Sequence, residues 1–161
     1  MRQNFELVTA LSLVAVLLSA DPAHAENWRA YATSQYRLDL PVTSFRITHR
    51  GMNHLTFSEI GGSGLIDVYS GANLKHLSLK SFADKLSEAG AIKDITYRAA
   101  GRRWFVLSGH YAADGSIYYA KYVFSSDLRT LAGFEITYPV PEKSRMDPIV
   151  EHLEESFHGP Q

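Results

Sequence analysis

The chain has 161 residues, a formal net charge of −1 and no cysteine. No disulfide, thiol nucleophile or thiolate metal site is therefore available, and a near-neutral chain has no long-range attraction to nucleic acid or to an anionic membrane. Two Trp, nine Tyr and eight Phe point to a folded, sheet-rich protein rather than a disordered one.

Residues 1–25 read as a cleavable signal peptide. Met1–Glu6 is followed by a 14-residue apolar run from Leu7 to Ala20, then by Asp21-Pro22-Ala23-His24-Ala25. A helix needs about 20 apolar residues to span a bilayer core, so the run is too short for a lasting anchor. Pro22 ends the helix, and Ala23 and Ala25 supply the small −3 and −1 residues that a signal peptidase accepts. No Cys follows for lipid attachment. Residues 26–161 read as a single α+β domain with 15 basic and 15 acidic residues. Its place is the periplasm or the extracellular medium.

Within that domain, Tyr36–Leu40 alternates and stops at Pro41, which predicts a first strand. Ser44–His49, His54–Ile60 and Leu65–Tyr69 follow as strands. Gly61-Gly62-Ser63-Gly64 makes the turn between the last two, because glycine takes positive φ without steric cost. At Ser78–Ala89 the period switches to that of a helix, with Leu79, Phe82, Ala83 and Leu86 on one stripe, Ser78 as its cap and Gly90 at its end. Four strands come next: Ile92–Tyr97, Arg103–His110, Ser116–Phe124 and Leu131–Tyr138. Short turns separate them, so they form an antiparallel meander. In Ser116–Phe124 both faces are apolar, which predicts cover on both sides. Glu135 and Thr137 alternate with Phe134, Ile136 and Tyr138, which predicts a more exposed strand. A last helix is expected over Asp147–Phe157, with Asp147 as cap and Pro148 in its first turn. The fold class is thus an antiparallel sheet of about six to seven strands with two helices packed on it. The helices cover opposite faces or the two halves of one face.

Several segments carry a resemblance: the Tyr36–Pro41 strand ending in Leu-Pro, Trp104-Phe105-Val106-Leu107-Ser108-Gly109, Tyr118-Tyr119-Ala120-Lys121, and Phe134–Pro139 followed by the closing helix. In order and pattern this resembles the PsbP/Mog1/DcrB-like domain class. It is also similar to small exported proteins of Gram-negative bacteria of unassigned function. The resemblance implies an antiparallel sheet between helices and a non-enzymatic binding or assembly role.

No arrangement of residues marks a reaction. Ser108 and His110 share a strand face but stand about 7 Å apart by strand rise, too far for a direct hydrogen bond, and no G-x-S-x-G elbow is present. The histidines at 49, 54, 76, 110, 152 and 158 lack the spacing of a zinc site. The Gly61–Gly64 cluster lacks the lysine and the strand-to-helix setting of a phosphate loop. No cofactor, metal or catalytic residue is therefore assigned. The candidate partner-binding residues are Arg98, Arg102 and Arg103 around one turn beside Trp104, and Tyr118 and Tyr119. The reading is an exported, non-enzymatic binding or accessory domain acting on a protein or envelope component. The alternatives are a small hydrolase whose site assembles from distant residues, and a carrier of an apolar ligand. Intact mass measurement of the protein from its native host is expected to find a chain beginning at Glu26. A cytoplasmic pool that retains Met1 overturns the export reading.

Overall fold

The computed structural model describes residues 26–89 and 92–161; the expected signal peptide and the helix-ending Gly90 lie outside the described residues. Strands β1 (Trp28–Ala32) and β2 (Arg37–Pro41) pair as a separate antiparallel hairpin. The chain then runs through β3 (Phe45–Arg50), β4 (His54–Glu59), β5 (Leu65–Ala72), helix α1 (Leu79–Ala89), β6 (Ile92–Ala100), β7 (Trp104–Tyr111), β8 (Ile117–Phe124) and β9 (Thr130–Tyr138). A 3-10 turn at Val140–Glu142 leads into helix α2 (Lys143–Ser156). Seven strands form one antiparallel sheet in the order β3-β4-β5-β9-β8-β7-β6. This is the expected α+β architecture, with the meander closing back onto β5.

The topology puts β9 at the centre of the sheet. After β5, the chain passes through α1 to the far edge at β6 and walks back strand by strand until β9 pairs with β5. This corrects the exposed-strand expectation for Leu131–Tyr138: Phe134 and Ile136 have no exposed surface, and Glu135 is only partly accessible. Alternation signals one polar face, but it does not say whether that face meets solvent or another polar cluster.

Two apolar layers cover opposite faces. On one face, Leu38 and Leu40 of β2 join Met146, Ile149 and Leu153 of α2 over Phe45, Phe57, Ile66, Phe134 and Ile136. On the other, Phe82, Ala83 and Leu86 of α1 pack on Phe105, Leu107, Ala120, Tyr122 and Phe124. Strand β8 serves both layers, with Tyr118, Ala120, Tyr122 and Phe124 on the α1 side and Ile117, Tyr119 and Val123 on the α2 side. Its two-faced apolar pattern is therefore satisfied by cover on both sides. The layers are offset. The α1 layer lies over β6–β8, and the α2 and β1–β2 layer lies over β3–β5, β9 and β8. Each face of the sheet is left open over one half.

The largest differences from the sequence reading lie at β1 and α2, while β5 and β6 each run three residues further than expected. Strand β1 lacks a clear alternation and pairs only with β2, so its pattern carries no signal. Helix α2 begins at Lys143, not Asp147. The 3-10 turn starts it four residues early, Pro148 lies inside it, and Asp147 accepts a bond from Lys143 Nζ at 2.6 Å instead of capping it. Pro148 is the sixth residue of the helix and cannot donate to the Ser144 carbonyl four residues earlier, so the helix gives up one internal bond there. The expected cap of α1 is present, with Ser78 Oγ accepting the Ser81 N–H at 3.1 Å.

The β4–β5 turn is tied to α2 by Glu59, whose side chain is 7% exposed. It accepts the Gly64 N–H at 2.9 Å and the Arg145 guanidinium at 2.5 Å. A Cβ at residue 62 would sit 2.1 Å from the Glu59 carboxylate, so only glycine leaves room for this fold-back. Glu59→Ala is expected to cost about 1–3 kcal/mol, because it strips a backbone donor and a charge of their partner. Arg145→Ala is expected to cost less than Glu59→Ala, since the Glu59 carboxylate keeps the Gly64 N–H and only one half-exposed charge is lost. Urea denaturation of both variants checks the order.

Candidate functional site

The structure separates the five residues singled out from the sequence. Arg98 points to the α1 side, where its guanidinium pairs with Asp84 at 3.1 Å. Arg102 and Arg103 stand at the β6–β7 tip and make no ion pair among the described residues. Tyr118 and Tyr119 face opposite sides of β8. Arg102, Arg103 and Tyr119 fall on or beside the open half of the α2 face, and Arg98 and Tyr118 do not.

That open half forms a groove of about 510 Å³ between α2 and strands β6–β8. Tyr97, Ser108 and Tyr119 line its sheet wall, and the helix wall mixes Val140 and Val150 with Lys143, Asp147, Glu151 and Glu154. The Tyr119 hydroxyl is buried without a hydrogen-bond partner. Burial, and after it the Glu154 carboxylate, raises its pKa well above the ordinary tyrosine value, so it is neutral. Ser108 and His110 both line the groove, yet no hydrogen bond joins them. At the tip, Trp104 is 38% exposed and folds over its own turn, where a Cβ at residue 101 would meet the indole nitrogen at 2.2 Å. The tip is thus solvated, but Trp104 covers the turn and not the core. Gly101 gives the indole its seat.

The open half of the α1 face carries a cluster that sequence reasoning missed. Thr56, Asp67 and Glu135 lie in register across β4, β5 and β9, and Tyr69 and Tyr122 flank that row. Gly133 opposes Tyr122 in the ladder, and a Cβ there would come within 2.3 Å of the ring. The missing side chain lets Tyr122 lie along β9 and donate its hydroxyl to Glu135 Oε1. Asp67 Oδ1 accepts from Thr56 Oγ1 at 2.7 Å and contacts His54 Nε2 at 2.7 Å, and the His54 ring stacks on Tyr69 at 4.4 Å. The only signal in the sequence was a glutamate between apolar residues of a strand, which also fits a solvent-facing position.

Burial raises the Glu135 pKa above the ordinary carboxylate range, and the like charge of Asp67 adds to this. The Tyr122 and Tyr118 hydroxyls and His54 work against the shift. Burial also raises Tyr69, Tyr118 and Tyr122, with the Glu135 charge next. These phenols stay protonated through the physiological range and act as donors, not as bases. Among the described residues, no three acidic or imidazole groups converge to hold one metal ion.

A carboxyl whose folded pKa lies above its unfolded value favours the folded state when protonated. The Glu135 contribution is therefore lost as pH rises from the ordinary carboxylate value through the raised one. Glu135→Gln is expected to melt higher than wild type above that window, with the difference fading below it. Thermal melts from pH 4 to pH 8 check the sign.

No protein-family model matches the chain, and no curated protein matches it significantly by sequence. Solved structures do match. The solution structure of cyanobacterial PsbP from Synechocystis sp. PCC 6803 gives a TM-score of 0.62 at 12% identity, over 89% of this chain and 98% of that one. The Ran-binding protein Mog1p of Saccharomyces cerevisiae gives 0.59 at 10% identity, over 84% and 96%. A Pseudomonas aeruginosa protein of unknown function, a putative regulator, gives 0.52 at 7% identity, over 83% and 97%. At such identities the likeness concerns the fold alone, and the fold is that of the PsbP/Mog1-like domain class.

Proposed function

We propose that this chain is an exported, non-enzymatic binding domain that engages an envelope or extracellular protein through the open half of its α2 face. One observation carries the reading. Large apolar side chains remain accessible around that half: Tyr97 at 55%, Val140 at 51% and Trp104 at 38% exposure. Exposed aromatic side chains beside a groove and flanked by arginine are the composition of interface centres. Among the described residues Arg102 and Arg103 make no ion pair, so their charges are open to an acidic segment of that protein. Lys121 is already committed to the α2 end, bonding the Glu154 carbonyl at 3.0 Å. Export rests on the apolar run and the Ala-His-Ala site. A similar fold in Ran-binding Mog1p supports a binding role by analogy only. Ser108 and His110 lack the contact that nucleophile activation requires.

The test places a photo-crosslinker at Tyr97, at Trp104 and, as control, at Met52, which is 98% exposed in the β3–β4 turn. In the native envelope, Tyr97 and Trp104 are expected to give the same discrete protein adduct, with Met52 giving none. Arg102→Ala with Arg103→Ala is expected to leave the circular dichroism spectrum unchanged and to cut adduct yield several-fold. Equal yields at all three positions, or no adduct, overturn the reading.

A further inference from the structure

Beyond the groove, on the same face, a pocket of about 320 Å³ lies between the β6–β7 tip and residues 158–161. Its floor is Val123 of β8 and the buried ring of Phe157. Trp104 opposes Val123 in the ladder and forms the wall on the tip side. Residues 158–161 form the other wall. The His158 backbone exchanges two hydrogen bonds with Arg37, both at 2.9 Å, which pins that segment to β2. A Cβ at residue 159 would sit 2.4 Å from the Val123 Cβ, so glycine is what lets the segment lie on the strand.

The polar groups of this pocket are mainly donors. Arg103 is half-buried, and its carbonyl accepts the Phe124 N–H at 2.7 Å, which holds its backbone at the rim. Among the described residues its guanidinium makes no hydrogen bond and no ion pair. Lys121 reaches the pocket with a side chain 17% exposed. Its ammonium donates to the Glu154 carbonyl at 3.0 Å and stands 3.6 Å from Glu154 Oε1, which leaves donors over. The Trp104 indole offers an N–H and no acceptor. His158 and Gln161 complete the polar lining. No aspartate or glutamate lines the pocket, and the Gln161 α-carboxylate is within ion-pair distance of neither cation. A partly desolvated guanidinium without a counter-charge is costly, and an incoming anion relieves that cost.

We propose, resting on the partner reading above, that this pocket receives an acidic side chain of the partner protein together with a large apolar neighbour. The carboxylate takes the forked N–H groups of Arg103, with the Lys121 ammonium on its other side. Arginine suits this task because its planar donors match both oxygens of a carboxylate. The apolar neighbour lies on Val123 and Phe157 against the exposed indole. Arg103 is thus the specificity-determining cation of the tip. Arg102 is exposed and does not line the pocket, so it attracts the same charge only through solvent.

NMR titration of the isotope-labelled protein with a capped peptide, acetyl-Ala-Glu-Phe-Ala-amide, tests this. The Trp104 indole N–H signal is expected to shift saturably. That of Trp28, stacked on His152 at 3.7 Å outside the pocket, is expected to stay in place. The same peptide with Gln for Glu, or with Ala for Phe, is expected to bind roughly tenfold more weakly, through loss of the charge-assisted bonds or of the apolar contact. Arg103→Gln is expected to weaken the peptide roughly tenfold, and Arg102→Gln less than about twofold at physiological salt, with both variants melting like wild type. No saturable shift, equal binding of the Glu and Gln peptides, or equal effects of the two arginine substitutions overturns the proposal. Peptide failure with the envelope adduct of Tyr97 and Trp104 retained overturns the pocket alone. Peptide binding without that adduct supports the pocket and overturns the partner reading.

Discussion

The structure depends on burying strand β8 on both faces. Strand β8 presents Tyr118, Ala120, Tyr122 and Phe124 to one side and Ile117, Tyr119 and Val123 to the other. An apolar face left to water forfeits about 25 cal/mol for each Å² that would otherwise be buried, so neither side can stay open. Two helices on one face would leave the other uncovered. One helix on each face, shifted so that the layers overlap at β8, covers both. The β1–β2 hairpin completes the α2 layer over β3–β5, where that helix does not reach.

The offset leaves two diagonally opposed half-faces open, and they differ in chemistry. The half on the α2 side is aromatic and borders the unpaired arginines of the β6–β7 tip. The half on the α1 side belongs to strands β4 and β5, whose residues there are polar: His54, Thr56, Ser58 and Asp67. This contrast follows from the cover. Strands with one covered face alternate, and strands with two covered faces do not. The open half on the α2 side is thus bordered by exposed aromatic residues, and that on the α1 side by a polar row that ends in the Asp67–Glu135 pair.

Glu135 marks the meeting point of those environments. It sits on the central strand where the α1 layer ends, partly desolvated and opposite Asp67. Its position is tenable because the Tyr122 hydroxyl reaches it across the space left by Gly133. The arrangement couples a glycine, a tyrosine and a glutamate on two strands into one unit. Removing the space or the hydroxyl would strand a carboxylate beside an apolar layer. Neutral phenols around it supply donors without adding charge, which suits recognition more than proton transfer.

Local pattern was enough to place most of the strands, both helices and the two-sided burial of Ser116–Phe124, because side-chain alternation and helical period are properties of adjacent residues. The Gly61–Gly64 turn and the Ser78 cap were equally legible, since each is a contact within a few positions. Where a polar strand face would end up was not legible. Glu135 alternates like a surface residue, and only the return of β9 to the middle of the sheet makes it a central one. The clustering of Asp67 with Glu135, and the divergence of Tyr118 from Tyr119 and of Arg98 from Arg102, likewise required strand order and layer offset. These are set by long-range pairing, in which residues far apart in the chain become neighbours, and no window of sequence contains that information.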